Sequence, residues 1–116
     1  MYKTIVKDVG SEASAFIEES MIILFGDNAP DELSDYCYII EINSIEGEIT
    51  ETQKVCIDDQ TFEITKVGAS VQKNLAELGH ITLKFDGSTQ AEQSGTLYLE
   101  KAEIPKIEIG TKLQIV

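Results

Sequence analysis

The chain has 116 residues, 42% of them hydrophobic, and its 21 acidic against 9 basic residues leave a net charge of −12. That length suits one domain with a single core, and no stretch approaches the roughly 18 consecutive apolar residues of a membrane span. Every basic residue is a lysine, so the acidic field and the missing guanidinium forks exclude nucleic acid as an expected partner.

The segment from Met1 to Gly10 alternates instead of forming the continuous apolar block of a secretory signal. A cytoplasmic chain with no direct membrane insertion is therefore expected, and Tyr2 to Val9 reads as its first strand. Ser11 is placed to cap a turn or two of helix in which Ala13, Phe16 and Ile17 form an i, i+3, i+4 stripe, although Glu18 and Glu19 oppose the helix dipole. Met21 to Phe25 is a second strand. Pro30 at a first helical position, followed by Asp31 and Glu32, predicts one turn burying Leu33 and Tyr36. Tyr38 to Ile42 is the next strand, and Val55-Cys56-Ile57 and Phe62 to Thr65 pair as a hairpin across Asp58-Asp59-Gln60-Thr61.

Ser70 to Leu78 carries the strongest helical pattern, with Val71, Leu75 and Leu78 at i, i+4, i+7 and Ser70 placed to accept from free N–H groups. Gly79 suits the left-handed closing residue and delivers His80 to the strand Ile81 to Phe85. Asp86-Gly87 is a turn and Gly95 a turn or bulge. Thr96 to Glu100, Lys106 to Ile109 and Lys112 to Ile115 repeat the period-two pattern, each expected to bury its leucine or isoleucine set. No internal repeat is visible. About eight short strands predict a mainly β fold, a small closed or partly closed β-barrel with one or two short helices.

His80 is the only histidine. On a strand it shares a face with Thr82 and Lys84, opposite Ile81, Leu83 and Phe85. A phosphoryl carrier needs one ring nitrogen free to attack, the other held by a hydrogen bond, and donors or cations for the phosphoryl oxygens. Thr82 and Lys84 have the right chemistry to be phosphate neighbours. The plain alternative is a surface histidine stabilised by the carbonyls of a helix end. Cys37 and Cys56 match neither a disulfide framework nor a zinc motif and are expected to be reduced. Asp58-Asp59 and Asp31-Glu32 are adjacent carboxylates, which face opposite ways on a strand or are solvated in a turn. Neither a metal nor a cofactor is expected.

The run Asn74-Leu75-Ala76-Glu77-Leu78-Gly79-His80-Ile81-Thr82-Leu83-Lys84-Phe85-Asp86-Gly87, with Ala29-Pro30-Asp31-Glu32-Leu33-Ser34-Asp35-Tyr36-Cys37 and Ala91-Glu92-Gln93-Ser94-Gly95-Thr96, resembles the glucitol/sorbitol-specific enzyme IIA component of the bacterial phosphoenolpyruvate-dependent sugar phosphotransferase system (PTS). The resemblance covers nearly the whole chain, residues 1–116, as one IIA-like domain. It implies a phosphoryl relay from the histidine-containing phosphocarrier protein to a cysteine of the sorbitol-specific IIB component, which with the membrane component IIC imports sorbitol. It also carries a departure. The phosphohistidine assigned in the family lies just past the Tyr-Cys-aromatic element, where this chain reads Ile40, whereas the histidine of Leu-Gly-His is matched by His80. Three readings follow: His80 is the acceptor here, the Leu-Gly-His position serves throughout the family, or the chain is a non-phosphorylated binding or regulatory module on the same fold.

Overall fold

The computed structural model describes residues 1–116. Eight strands, β1 (Tyr2–Val9), β2 (Met21–Gly26), β3 (Tyr38–Ile40), β4 (Lys54–Ile57), β5 (Gln60–Val67), β6 (Ile81–Lys84), β7 (Thr96–Leu99) and β8 (Lys112–Ile115), close into a barrel in the spatial order β1-β3-β2-β6-β7-β5-β4-β8. Closure gives every strand two neighbours and leaves no open edge. The alternation works as expected: Ile22 and Leu24 of β2, Ile81 and Leu83 of β6, and Leu97 and Leu99 of β7 are buried in one core of 22 residues. Inside it the Phe62 and Phe85 rings meet edge-on with centroids 5.1 Å apart. Two α-helices, α1 (Asp31–Ser34) and α2 (Val71–Leu78), and a 3₁₀ helix (Ala13–Glu19) join the strands.

Several expectations are corrected. Lys106 to Ile109 is no strand: Pro105 removes a ladder donor, and Glu108 and Thr111 close a turn on each other, Glu108 N–H donating to Thr111 Oγ1 at 2.9 Å and Thr111 N–H to Glu108 O at 3.0 Å. Ile107 still enters the core, but Ile109 is 65% exposed. The stripe after Ser11 is wound as a 3₁₀ helix, whose threefold repeat sends Ala13 inward and leaves Ile17 40% exposed. The turn after Pro30 buries neither Leu33 nor Tyr36, which are 46% and 43% exposed, and Pro30 itself lies just outside the helix. β3 stops at Ile40. The β4–β5 connection is two residues, Asp58-Asp59, because Ile57 pairs with Gln60. Ser70 makes no side-chain cap; its N–H is used on Ser94 O at 2.8 Å.

The largest correction is an internal repeat. β1 to β4 and β5 to β8 repeat one arrangement about a pseudo-two-fold axis through the β2–β6 and β4–β8 ladders. The two parallel ladders, β2–β3 and β6–β7, are counterparts. So are the register shifts, between Val6 and Asp8 on β1 and between Ile64 and Lys66 on β5. The 3₁₀ helix stands where α2 does, closed by left-handed Ser20 (φ 62°) as α2 is by Gly79 (φ 65°). Gly10 and Gly68 also correspond: a Cβ on either would lie 2.3 Å from a carbonyl oxygen, Asp35 O or Ser94 O, so only glycine lets the loops pass that closely.

One core polar group stands alone. The Tyr2 hydroxyl is buried without a hydrogen-bond partner, while neighbouring Thr4 Oγ1 donates to Glu41 O at 2.8 Å. Burial raises the Tyr2 pKa to about 12, with the Thr4 hydroxyl opposing and the Glu41 charge adding to the rise. The folded chain thus keeps the phenol proton to about 12 while the unfolded chain releases it near 10.0, so this group's contribution is present below pH 10.0 and lost as pH rises to about 12. Tyr2→Phe should leave neutral-pH stability unchanged or slightly higher, since it removes an unsatisfied hydroxyl. It should also flatten the alkaline decline by about 2 kcal/mol, read from urea unfolding across that window.

Candidate functional site

Helix α2 turns Val71 and Leu75 into the core and ends where Gly79 takes a left-handed conformation. Gly79 N–H donates to Leu75 O at 3.0 Å, and His80 N–H reaches back to Asn74 O at 3.2 Å, which satisfies two of the helix's last carbonyls. A side chain at Gly79 would be strained by its φ and would press within 3.0 Å of Gly26 N. The sharp turn therefore sets His80 immediately before β6, one rung beyond the Leu24–Ile81 pair of the β2–β6 ladder.

On that rung the imidazole stacks on Phe25, with centroids 4.1 Å apart and planes inclined by 22°. Its Nδ1 lies 3.1 Å from Leu24 O. A carbonyl oxygen only accepts, so Nδ1 carries the proton and the neutral ring holds its free electron pair on Nε2. The ring is half-buried, gripped by a backbone acceptor on one edge and an aromatic face on the other.

His80, Thr82 and Lys84, grouped from the sequence, wall one open hollow of about 440 Å³ on the outside of the barrel. The structure adds residues to which sequence reasoning assigned no part in the site. Asn74 comes from α2, and Glu92, Gln93 and Gly95 from the connection between β6 and β7. Tyr98 of β7 also lines the hollow, and its hydroxyl accepts from Gln93 N–H at 3.0 Å. Apart from a turn or bulge at Gly95 and a strand start at Thr96, the 91–96 segment was visible only as part of a family resemblance; its arrival beside His80 follows from the parallel β6–β7 pairing. The electrostatics are mixed. Lys84 Nζ lies 3.7 Å from Asp86 Oδ2, and the Glu92 carboxylate shares the hollow, so one ammonium faces two carboxylates.

Other sequence features lie elsewhere. Ile40 is 0% exposed and turned into the barrel, opposite Val6 on β1 and Gly26 on β2. Cys37 and Cys56 are both free thiols. Burial pushes the Cys37 thiol up, and its Sγ donates to Leu33 O at 3.2 Å, which marks an unreactive core group. No helix is long and apolar enough to cross a membrane.

Comparison with known proteins agrees with this architecture. Residues 1–114 match the family described as "PTS system glucitol/sorbitol-specific IIA component". The chain is 32% identical over 99 residues to proteins of Shigella flexneri and Escherichia coli, each named "PTS system glucitol/sorbitol-specific EIIA component". Those alignments cover 85% of this chain and 80% of each relative. A crystal structure of a PTS system IIA component from Enterococcus faecalis superposes with a TM-score of 0.84 at 30% identity, covering 99% of both chains.

The Leu24 carbonyl makes a checkable demand on the ring. In ¹⁵N-labelled protein at mildly alkaline pH, His80 should populate the Nδ1–H tautomer, with Nε2 giving the resonance of an unprotonated nitrogen. Predominance of the Nε2–H tautomer would contradict the Leu24 contact.

Proposed function

Because the chain belongs to the glucitol/sorbitol-specific IIA component family of the PTS, we propose that residues 1–116 act as one cytoplasmic phosphocarrier domain with His80 as acceptor. The donor is the histidine-containing phosphocarrier protein; the recipient is a cysteine of the sorbitol-specific IIB component, working with the membrane component IIC. The observation that carries this reading is the Nδ1 contact to Leu24 O, which leaves Nε2 as the nucleophile in a ring that walls an accessible hollow.

In the first step the Nε2 electron pair attacks phosphorus. The Nε2–P bond forms as the P–N bond to the donor's histidine breaks, and the departing nitrogen keeps that pair. Nδ1–H stays on Leu24 O throughout, so the ring neither rotates nor changes tautomer, and the positive charge on the phosphorylated imidazolium is shared with the carbonyl dipole. In the second step the thiolate of the recipient attacks the same phosphorus and neutral His80 leaves. Thr82, Lys84, Asn74 and Gln93 bring a hydroxyl, an ammonium and two amides to the hollow in which the phosphoryl oxygens would sit.

Ile40 supports placing the acceptor at His80. Its register on β3 points into the core, where a phosphorylated side chain would be desolvated and out of a partner's reach.

The test is intact mass at neutral to alkaline pH after incubation with phosphoenolpyruvate and the general carriers. Wild-type protein should gain one phosphoryl group and His80→Gln none, while Lys84→Met should slow the gain by about tenfold or more. Folded wild-type protein that stays unmodified with competent carriers would favour the non-phosphorylated binding or regulatory module.

A further inference from the structure

The pseudo-two-fold axis runs through the β2–β6 ladder, so the His80 hollow has a counterpart on the first half of the barrel, beside it on the same outer face. The counterpart is built from different chemistry. Carrying the β6–β7 register onto β2–β3 puts Met21 in the place of His80, Ile23 in that of Thr82 and Phe25 in that of Lys84. The loops follow the same rule. Where the second half sets Asn74 beside Gly95, with the amide 3.7 Å from where a Gly95 Cβ would stand, the first sets the Phe16 ring against Tyr36 at 6.1 Å between centroids. Leu33 takes the place of Glu92.

The result is an apolar surface of Phe16, Leu33 and Tyr36, the last two 46% and 43% exposed. It is continuous with the hollow, since Met21 both walls the hollow and pairs with Lys84. The segment that builds it carries one sign of charge, and Lys101 lines a separate hollow beyond Ile17. Residues 11–37 hold seven carboxylates and no lysine, and the chain has no basic residue between Lys7 and Lys54. Glu18, Glu19, Asp31, Glu32 and Asp35 around the patch are all exposed, and none is paired with a lysine within salt-bridge distance.

We propose that this face is the docking surface for the protein that delivers the phosphoryl group, a partner whose contacting surface has an apolar centre and a basic rim. The inference rests on the reading of His80 as acceptor and adds where the donor sits. Charge complementarity selects that occupant. The acidic ring repels a second copy of this chain and any acidic partner, whereas a basic rim is steered toward it and buries Leu33 and Tyr36 on contact. The hollow needs such a partner too, because its one ammonium is offset by Asp86 and Glu92. Cations brought by the partner would offset the phosphoryl charge during transfer and leave with it. The duplicated scaffold thus serves twice, one half for chemistry and the other for docking.

The test titrates ¹⁵N-labelled full-length protein with the purified, unphosphorylated phosphocarrier protein, using wild type, Leu33→Ser/Tyr36→Ser and the charge reversal Glu18→Lys/Glu19→Lys. All four substituted side chains are exposed, so the variants should fold, and far-UV circular dichroism checks this. Amide shifts in the wild type should cluster at residues 13–37 and around the hollow. Each double variant should raise Kd, and KM for the phosphorylated carrier, by about tenfold with kcat little changed. Salt should weaken wild-type binding more than that of the charge reversal. Potassium phosphoramidate, whose P–N bond breaks with release of ammonia as the Nε2–P bond forms, should phosphorylate both variants at the wild-type rate. Shifts confined elsewhere on the barrel, unchanged Kd in both variants, absence of carrier binding, or a concentration-dependent homodimer on this face would overturn the docking proposal. Carrier binding at this face, with His80 refractory to phosphoramidate and carrier alike, would uphold the docking surface and overturn the acceptor.

Discussion

The antiparallel pairing of β2 with β6 sets Leu24 opposite Ile81, and the next rung brings the Phe25 ring onto His80. Most of the site depends on that ladder. It places the Leu24 carbonyl within 3.1 Å of Nδ1, so the backbone of a core strand decides which ring nitrogen carries the proton. A backbone acceptor in a closed barrel has no rotamer freedom, and the ring it holds is correspondingly well oriented before any partner arrives. Gly79 makes the rung reachable, since the helix end and β2 approach there too closely for a side chain.

The hollow beside the ring is weakly charged, and this suits a relay. Strong stabilisation of a phosphorylated intermediate would deepen an energy well that the next transfer has to climb out of. Lys84 is shared with Asp86, and Glu92 lies in the same wall, so the protein supplies orientation and neutral donors more than positive potential. On the other half, the segment 11–37 sets exposed Leu33 and Tyr36 among seven carboxylates and no lysine. Contacts of that kind favour fast encounter and fast release over residence.

Much of this was legible in the chain itself, for physical reasons that also mark the limits. Alternation and short apolar runs marked out all eight strands, together with a ninth at Lys106 to Ile109 that does not form, and Gly79 was readable because few other residues close a helix in the left-handed conformation. The shared face of His80, Thr82 and Lys84 follows from strand geometry alone. Exposure of Leu33 and Tyr36 was not legible: a turn with apolar residues reads as a core-facing turn unless the neighbouring surface is known. Lys106 to Ile109 shows the converse, an alternating pattern in which Pro105 and the Glu108–Thr111 turn prevail over periodicity. Gln93 and Tyr98 reach the hollow only through long-range pairing of β6 with β7, which no local pattern encodes, whereas Asn74 is held there by the helix end, His80 N–H donating to its carbonyl.

The repeat was hidden for a related reason. A pseudo-two-fold barrel constrains its halves to the same strand order, matching register and closely approaching loops, and it constrains side chains only where they face inward. Gly10 and Gly68 persist because each lies under a carbonyl oxygen, and Ala13 and Val71 both remain buried in the core. Outward positions carry no such obligation: His80 stands against Met21, Thr82 against Ile23 and Lys84 against Phe25. Phe25 is the stacking partner of His80, so a residue that makes one half apolar also completes the site of the other. Divergence on this outer face therefore links the halves across the axis. Phe25, buried on β2, sets the orientation of the imidazole before β6, so a change on one half is felt in the site of the other.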